Sequence, residues 1–386
     1  MLIILITSLY YYLHYAVRSS INWLGTQLPP ETIAQLGPLF FITYLVGQLI
    51  AGKLMDRIGV KKTLGIGGAL FTCGAFYCYK GALPLGFALM GLSSSTFFVA
   101  GAYNTLSLPR YMRGYCMDAL YILGGLGTLT SSAAILQVSH ISVGKFFQFI
   151  LVIASGLTLL LLIVQDRKLQ VVSDPKGVRR EIPWLSAIFS ALTLNAVSLV
   201  SDAYGSTLWR THPRINVWAF LLIISIIGSL GFFLLRAVMR ILSRADNLIQ
   251  RPPSKAHNSL FLVIQPYLIS ALLGTSALTL LLRLFQPSAE SYQLMVSTGA
   301  ILAFYAVTRL VFLDASLGSL PTGREAFTIA IWNSFNALGR VGAELYLWIY
   351  GISVPAIKGL VIVYLLLSLA VLLVMLLRRL SQCKHI

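Results

Sequence analysis

A stripe of polar side chains follows one face of the first long apolar segment. Tyr11, Tyr15, Arg18 and Asn22 recur at helical spacing, and His14 lies four residues before Arg18. An ionisable group at membrane depth is costly and normally faces a bundle interior or a wet cavity. A guanidinium in that setting can bind a carboxylate or a phosphate through paired hydrogen bonds. The stripe therefore predicts an anion-binding face, and extension of Arg18 towards the membrane surface is the alternative.

A second polar face lies in the apolar segment 184–207. Asn195, Ser198 and Asp202 share this face at helical spacing. A buried aspartate is protonated, paired or bound to a cation. Because Arg18 and Asp202 occupy nearly equivalent places in the two halves of the chain, we expect them to meet across a central cavity. They can hold a zwitterion there or close on one another, and Asp202 is the first candidate for proton coupling.

The segment 325–350 carries a third polar face. It contains Asn333, Asn336, Arg340 and Glu344, and the last two are one helical turn apart. An ion pair at this spacing offsets the cost of burying either charge, which is the structural interpretation. A role of Glu344 in proton coupling is the alternative. We expect the two asparagines and Arg340 to contact a solute.

The sequence contains few other residues that could bind a solute, catalyse a reaction or hold a metal. Gln48 and Tyr44 lie one turn apart, and such residues can hydrogen-bond a solute or hold two helices together. Neither paired carboxylates nor a Ser-His arrangement accompanies His14, so we do not expect an intramembrane enzyme. The four cysteines lack the spacing of a metal site. We expect neither a cofactor nor a bound metal.

The composition places these polar groups in a membrane. Of the 386 residues, 57% are hydrophobic and only 11% are charged, against roughly 25% charged in a soluble domain. A membrane-spanning helix needs about 20 apolar residues, so the length suits twelve spans. The spans should be helices, because no water satisfies the backbone in the hydrocarbon core. We predict them at 2–27, 36–55, 63–81, 84–107, 117–138, 145–165, 184–207, 216–241, 258–284, 291–313, 325–350 and 356–379.

The distribution of the positive charges, which give a net charge of +17, indicates how the chain is oriented in the membrane. In a soluble chain that net charge would suggest a nucleic-acid partner, which we do not expect for this apolar sequence. Most of the 29 lysines and arginines fall on the side of the predicted spans that holds the N-terminus. The positive-inside rule then places both termini in the cytoplasm. The expected location is the plasma membrane, or the inner membrane in a bacterium.

The longest polar stretch divides the chain into two halves. This cytoplasmic linker covers residues 166–183 and separates six-helix bundles at 1–165 and 184–386. A proline, a basic loop and a helix rich in small residues recur at matching places in both halves. The predicted fold class is therefore an all-α membrane protein of two pseudo-symmetric halves, as in transporters built from parallel repeats.

A motif between the second and third spans carries a family resemblance. From position 52 the sequence reads GKLMDRIGVKKTL. It resembles the signature loop of the major facilitator superfamily, Gly-x-Leu-x-Asp-Arg-x-Gly-Arg-Lys, at every hallmark position except Val60. In that family the loop stabilises one conformation of the alternating-access cycle, and its aspartate can pair with a cation or a helix N-terminus. The resemblance assigns this role to Gly52, Asp56, Arg57, Gly59, Lys61 and Lys62.

The first two spans also resemble a branch of that superfamily. The segments 17–22 and 41–48 look like the organophosphate and anion:cation symporters, in which an arginine of the first helix binds the anionic group of the substrate. Arg18 matches that arginine. The organophosphate branch has a second arginine on the seventh helix, whereas this chain has Ser201 and Asp202 there. The departure disfavours a phosphate substrate.

These observations predict a secondary active transporter and not an enzyme. We expect it to move a small polar organic anion or zwitterion, with a proton or a counter-solute as the coupling partner, and to work as a monomer among membrane lipids. The alternative is a protein of the same fold that flips a lipid or lysolipid, or that serves as a scaffold or receptor. Symport and antiport both stay open at this stage.

Overall fold

A computed structural model describes residues 2–106, 110–136, 142–164, 324–351 and 354–383, with the single positions 108, 188 and 237. The described residues form eight α-helices. These are α1 (Leu2–Gln27), α2 (Pro30–Ile58), α3 (Val60–Tyr79), α4 (Leu83–Leu106), α5 (Arg110–Leu136), α6 (Val143–Ile163), α7 (Glu325–Tyr350) and α8 (Val354–Cys383).

Most of the predicted spans in these ranges coincide with a helix to within about one turn. Two helices begin earlier than predicted: α2 at Pro30 rather than 36, and α5 at Arg110 rather than 117. The hydropathy pattern marks only the apolar part of a helix, whereas the backbone bonds continue through polar residues beyond it. A proline at the first helical position, such as Pro30, costs no hydrogen bond because that N–H has no intrahelical partner.

Four predicted spans, apart from the single positions 188 and 237, and the linker 166–183 fall outside the described residues. The twelve-helix count and the division into two six-helix halves therefore stay predictions. The spans concerned are 184–207, 216–241, 258–284 and 291–313.

The predicted loop between the second and third spans shrinks to one residue. Gly59 separates α2 from α3, with φ of +86°, and its N–H donates to the Met55 carbonyl at 3.0 Å. Glycine adopts this left-handed conformation without the clash that a Cβ would cause. The second helix ends three residues later than the predicted 55, because Asp56 and Arg57 form its last turn.

The helices α1 to α7 belong to one compact unit (Met1–Trp184 and Asp314–Ser353), and α8 belongs to a second (Leu185–Leu313 and Val354–Ile386). Within the first unit, α4 packs on α2 and α3, α1 packs on α5, and α6 packs on α3. Its centre is aromatic. Tyr10 stacks on Phe97 with ring centroids 4.6 Å apart, and Phe71 meets both rings edge-on. These fully buried rings fix the positions of α1, α3 and α4.

The helix α7 lies antiparallel along α2. Gly52 faces Ala330 and Gly37 faces Glu344, so residue numbers fall along α2 as they rise along α7. A Cβ at Gly52 would lie 2.6 Å from the Ala330 Cβ and 2.8 Å from the Phe327 Cα. Such small residues let two helix backbones approach closely where lipid offers no hydrophobic drive for association. This packing sets the polar face of α7 against α2.

Three of the described helices are both long and apolar enough to cross a membrane. They are Gln35–Ile58, Leu83–Leu106 and Val143–Ile163. Large apolar side chains stay exposed on α6, including Val152, Leu162 and Ile163, which are 65%, 72% and 79% exposed. A surface of this kind suits contact with lipid.

Candidate functional site

The polar stripe of α1 is placed as one continuous face. Tyr11 and His14 are buried, while Tyr15 and Arg18 are half-buried. The Tyr11 hydroxyl donates to the Tyr15 hydroxyl at 3.3 Å. Asn22 continues α1 towards its end, but its side chain lies outside the described set. The helical spacing therefore located the face, and the neighbouring helices decide what it contacts.

The His14 ring packs against aromatic rings of α2. It stacks on Tyr44 with centroids 5.4 Å apart and on Phe40 with centroids 5.7 Å apart, and both pairs are close to parallel. These contacts hold α1 against α2 and fix the orientation of the imidazole. His14 thus lies within the packed α1–α2 interface.

A hydrogen bond joins α2 to α7 at the same level. The Asn333 Nδ2 donates to the Tyr44 hydroxyl at 3.0 Å, and both side chains are buried. Hydrogen bonds between membrane helices are worth about 0.6 to 2 kcal/mol each. Tyr44 therefore links His14 on α1 with Asn333 on α7.

The Phe41 ring brings two arginines together. The Arg18 Cζ lies 5.1 Å from the Phe41 centroid, and the Arg340 Cζ lies at the same distance. The two guanidinium carbons are therefore within about 10 Å of each other, although they come from α1 and α7. Arg18 also lies over the Tyr15 ring at 5.4 Å.

The two arginines differ in their charge partners. The Arg340 Nε donates to Glu344 Oε1 at 2.8 Å, and Nη2 contacts the same oxygen. Both side chains are largely withdrawn from solvent, at 9% and 18% exposed. Arg18 has neither a carboxylate nor a hydrogen-bond partner among the residues that the structure describes. The Arg340–Glu344 ion pair of the structural interpretation is thus present, whereas the N–H groups of Arg18 have no acceptor among the described residues.

Two further amides lie on these helices. Gln48 on α2 is fully buried, and neither of its amide atoms has a hydrogen-bond partner among the described side chains and backbone. An unsatisfied buried amide costs about 1–3 kcal/mol, so such a group suggests a ligand or water that would satisfy it. Asn336 on α7 is half-buried.

Asp56 caps the N-terminus of α7. Its Oδ1 accepts from the Ala326 N–H at 3.0 Å and its Oδ2 from the Phe327 N–H at 2.9 Å. Arg324, the N-cap residue of α7, makes no side-chain cap hydrogen bond, so Asp56 supplies the cap from another helix. The first N–H groups of a helix lack intrahelical acceptors and carry partial positive charge, which favours a carboxylate there.

The other members of the motif surround this contact. Gly52 lies one turn before Asp56 and permits the close approach of α7. Arg57, Gly59 and Lys62 are exposed, and Lys61 is half-buried. A comparison with protein families matches residues 3–344 of the chain, a range that includes the motif, to the sequence model of the Major Facilitator Superfamily.

The chain belongs to the major facilitator superfamily. It is therefore a multi-pass membrane transporter with the all-helical fold of that superfamily, whose members bind small-molecule substrates. A comparison with curated proteins gave no match.

In this superfamily member, the structure assembles only part of the predicted site. The stripe of α1 meets the polar face of α7 through α2, which brings Arg18 near Arg340. Asn195 and Asp202 lie outside the described residues, so the expected meeting of Arg18 with Asp202 stays a prediction.

Two residues without a predicted role help to organise the site. The Phe41 ring contacts the guanidinium groups of both Arg18 and Arg340, and the missing side chain at Gly37 leaves space for Glu344. A signal was present in the sequence, because Gly37, Phe41, Tyr44, Gln48 and Gly52 follow one another at intervals of three or four. Spacing of this kind identifies a shared helix face but not the helix that packs on it.

Proposed function

We propose that this transporter moves a small polar organic anion or zwitterion by alternating access, and that Arg18 and Arg340 bind its anionic group beside Phe41. The convergence of the two guanidinium groups on one ring carries this proposal. Arg18 contributes a charge that no described carboxylate compensates. An anion placed there gains both charge attraction and hydrogen bonds.

The aromatic contacts support a binding role for Arg18. A guanidinium held over a ring is oriented by the face of that ring, while its N–H donors lie in its own plane. Phe41 and Tyr15 can therefore position Arg18 without occupying its hydrogen bonds. Positioning of this kind lowers the entropy cost of binding a planar carboxylate.

The Asp56 cap supports a conformational role for the signature motif. If the second half of the transporter covers 184–386, the contacts of Asp56 with α7 join the two halves in one state. Rocking of the halves about a central site would break these hydrogen bonds and then remake them. Asp56 would thus control the conformational cycle rather than the affinity for substrate.

Coupling to a proton is assigned to Asp202 in this proposal, with Glu344 as the other candidate. Glu344 is already paired with Arg340, which favours the structural interpretation of that carboxylate. A counter-solute is the alternative coupling partner.

The proposal further includes the organophosphate or anion:cation symporter branch, a monomeric state, and a plasma-membrane location with cytoplasmic termini.

A transport assay in proteoliposomes tests the proposal. Liposomes are preloaded with one unlabelled member of a panel of carboxylates, sulfonates, phosphate esters and amino acids, and uptake of the same labelled compound is measured. We expect exchange of at least one compound with an anionic group, and loss of that exchange in Arg18→Ala. Liposomes that are inert to the whole panel but scramble labelled lipid would support the flippase alternative instead.

A further inference from the structure

We infer that the Arg18–Arg340 site accepts an anionic group of one negative charge, such as a carboxylate or a sulfonate, and that Glu344 discriminates against a dianion. This inference rests on the proposed function of the site. It starts from the charges that the structure places around Phe41.

The described side chains at this site leave one positive charge uncompensated. Arg18 and Arg340 each contribute one positive charge, and Glu344 contributes one negative charge through its contacts with Arg340. The charge of Arg18 is the one without a partner in the described part of the chain. Among these described side chains, a group of one negative charge therefore neutralises the site, whereas a second negative charge meets no further uncompensated cation.

The position of Glu344 is built into the packing of α2. Both of its contacts with Arg340 use Oε1, while Oε2 lies 2.9 Å from the position that a Cβ at Gly37 would take. A side chain at position 37 would therefore require this carboxylate to move. The carboxylate thus lies between α7 and α2, with its negative charge beside the guanidinium of Arg340.

The low solvent exposure of Arg340 and Glu344 strengthens the repulsion between Glu344 and a second negative charge on a ligand. Arg340 and Glu344 are 9% and 18% exposed, so solvent screens their interactions less than it would at an open surface. A second negative charge on a ligand that binds Arg340 would lie within about 10 Å of this carboxylate, because Glu344 is in direct contact with Arg340. At an effective dielectric constant of about 20, like charges at that separation lower affinity by about tenfold or more.

A matched pair of inorganic and organic anions tests the inference. Sulfate and methanesulfonate both have a tetrahedral sulfur atom that carries oxygen acceptors. Near neutral pH sulfate has a charge of −2 and methanesulfonate a charge of −1. Each anion is titrated into the purified transporter at constant ionic strength, and its apparent Kd is obtained from the rise in Tm. We expect methanesulfonate to bind more tightly than sulfate to the native protein.

The discriminating measurement is the ratio of the two Kd values. Glu344→Gln, or Glu344→Met if the first variant does not fold, removes the charge at similar side-chain length. Either variant should shift the ratio in favour of sulfate by about tenfold or more. Glu344→Asp keeps the charge and should retain the native preference. A purely structural role for Glu344 would lower the stability of the protein without moving the ratio.

Failure of the inference differs from failure of the proposed function. If Arg18→Gln weakens both anions but Glu344→Gln leaves their ratio unchanged, the inference is wrong and the anion site stands. Tighter binding of sulfate than of methanesulfonate to the native protein also overturns the inference. If neither anion stabilises the native protein or any variant, the anion site itself is wrong, and the inference fails with it.

Discussion

The Asp56 carboxylate accepts a hydrogen bond of 2.9 Å from the backbone N–H of Phe327, which lies 271 positions later in the chain. Asp56 belongs to the last turn of α2, and Phe327 belongs to the first turn of α7. The contact therefore joins helices from opposite ends of the sequence. On α2, Asp56 is separated from Gly37, which faces Glu344, by about five helical turns, so the cap and the anion site occupy opposite ends of one α2–α7 interface.

Replacing Asp56 by asparagine should slow transport and leave substrate affinity nearly unchanged. The amide keeps one acceptor oxygen but loses the charge and one of the two backbone hydrogen bonds, which weakens the cap by about 0.5–2 kcal/mol. Exchange rate and equilibrium affinity are measured on the same preparation. Lys53→Gln is the control, because Lys53 lies one turn before Asp56 on α2, is exposed, and is not one of the hallmark positions of the motif. An equal loss of binding and exchange in Asp56→Asn would contradict a conformational role.

A methyl group at position 52 should disturb the α2–α7 interface. In Gly52→Ala the new Cβ would lie 2.6 Å from the Ala330 Cβ, and overpacking of this kind costs about 1–3 kcal/mol. The expected result is a lower Tm together with slower exchange. Gly65→Ala is the matched control, since a Cβ there meets nothing within 4 Å. If both variants behave alike, the close approach at Gly52 is not important for stability.

How far the sequence predicts this structure depends on whether a contact stays within one helix. The stripe of Tyr11, Tyr15 and Arg18 follows from spacing alone, and so does the ion pair of Arg340 with Glu344. These residues are fixed relative to one another by helical geometry.

Contacts between helices could not be predicted in the same way. Nothing in the spacing of Arg18 or Arg340 indicates that both contact Phe41. Nothing in the sequence around Gly37 indicates that the Glu344 carboxylate of α7 occupies the space left by the missing side chain. Periodicity identifies the buried face of a helix, whereas its partner depends on the packing of the whole unit. The helix ends at Pro30 and Ile58 were missed because polar residues continue a helix beyond its apolar segment.

Removing the Tyr44 hydroxyl should weaken the link between α2 and α7 while leaving the aromatic packing in place. Tyr44→Phe keeps the ring that stacks on His14 but removes the acceptor for the Asn333 amide. We expect a loss of stability of about 0.6–2 kcal/mol, measured by thermal or denaturant unfolding in detergent. Tyr77→Phe, at an exposed ring on α3, should cost much less. Equal costs would mean that the Tyr44–Asn333 hydrogen bond adds no stability.

Asp202→Asn should abolish accumulation driven by a pH gradient and spare exchange of labelled for unlabelled solute. The reason is that a proton-coupled carrier needs a group that gains and loses a proton during the cycle, and Glu344 is already paired with Arg340. Glu344→Gln is measured in parallel. Loss of accumulation in Glu344→Gln with full retention in Asp202→Asn would identify Glu344 as the coupling carboxylate. Retention in both variants would exclude coupling through either group.

The most direct test of the account is the affinity of Arg18 variants for a transported anion, measured by calorimetry. Arg18→Lys keeps the charge but loses the planar pair of donors, and Arg18→Ala loses both. We expect affinity to fall by about tenfold or more in Arg18→Lys and further in Arg18→Ala, because charge-assisted hydrogen bonds contribute about 1.5–3 kcal/mol each. Native affinity in both variants would contradict the account, because Arg18 would then have only a structural role.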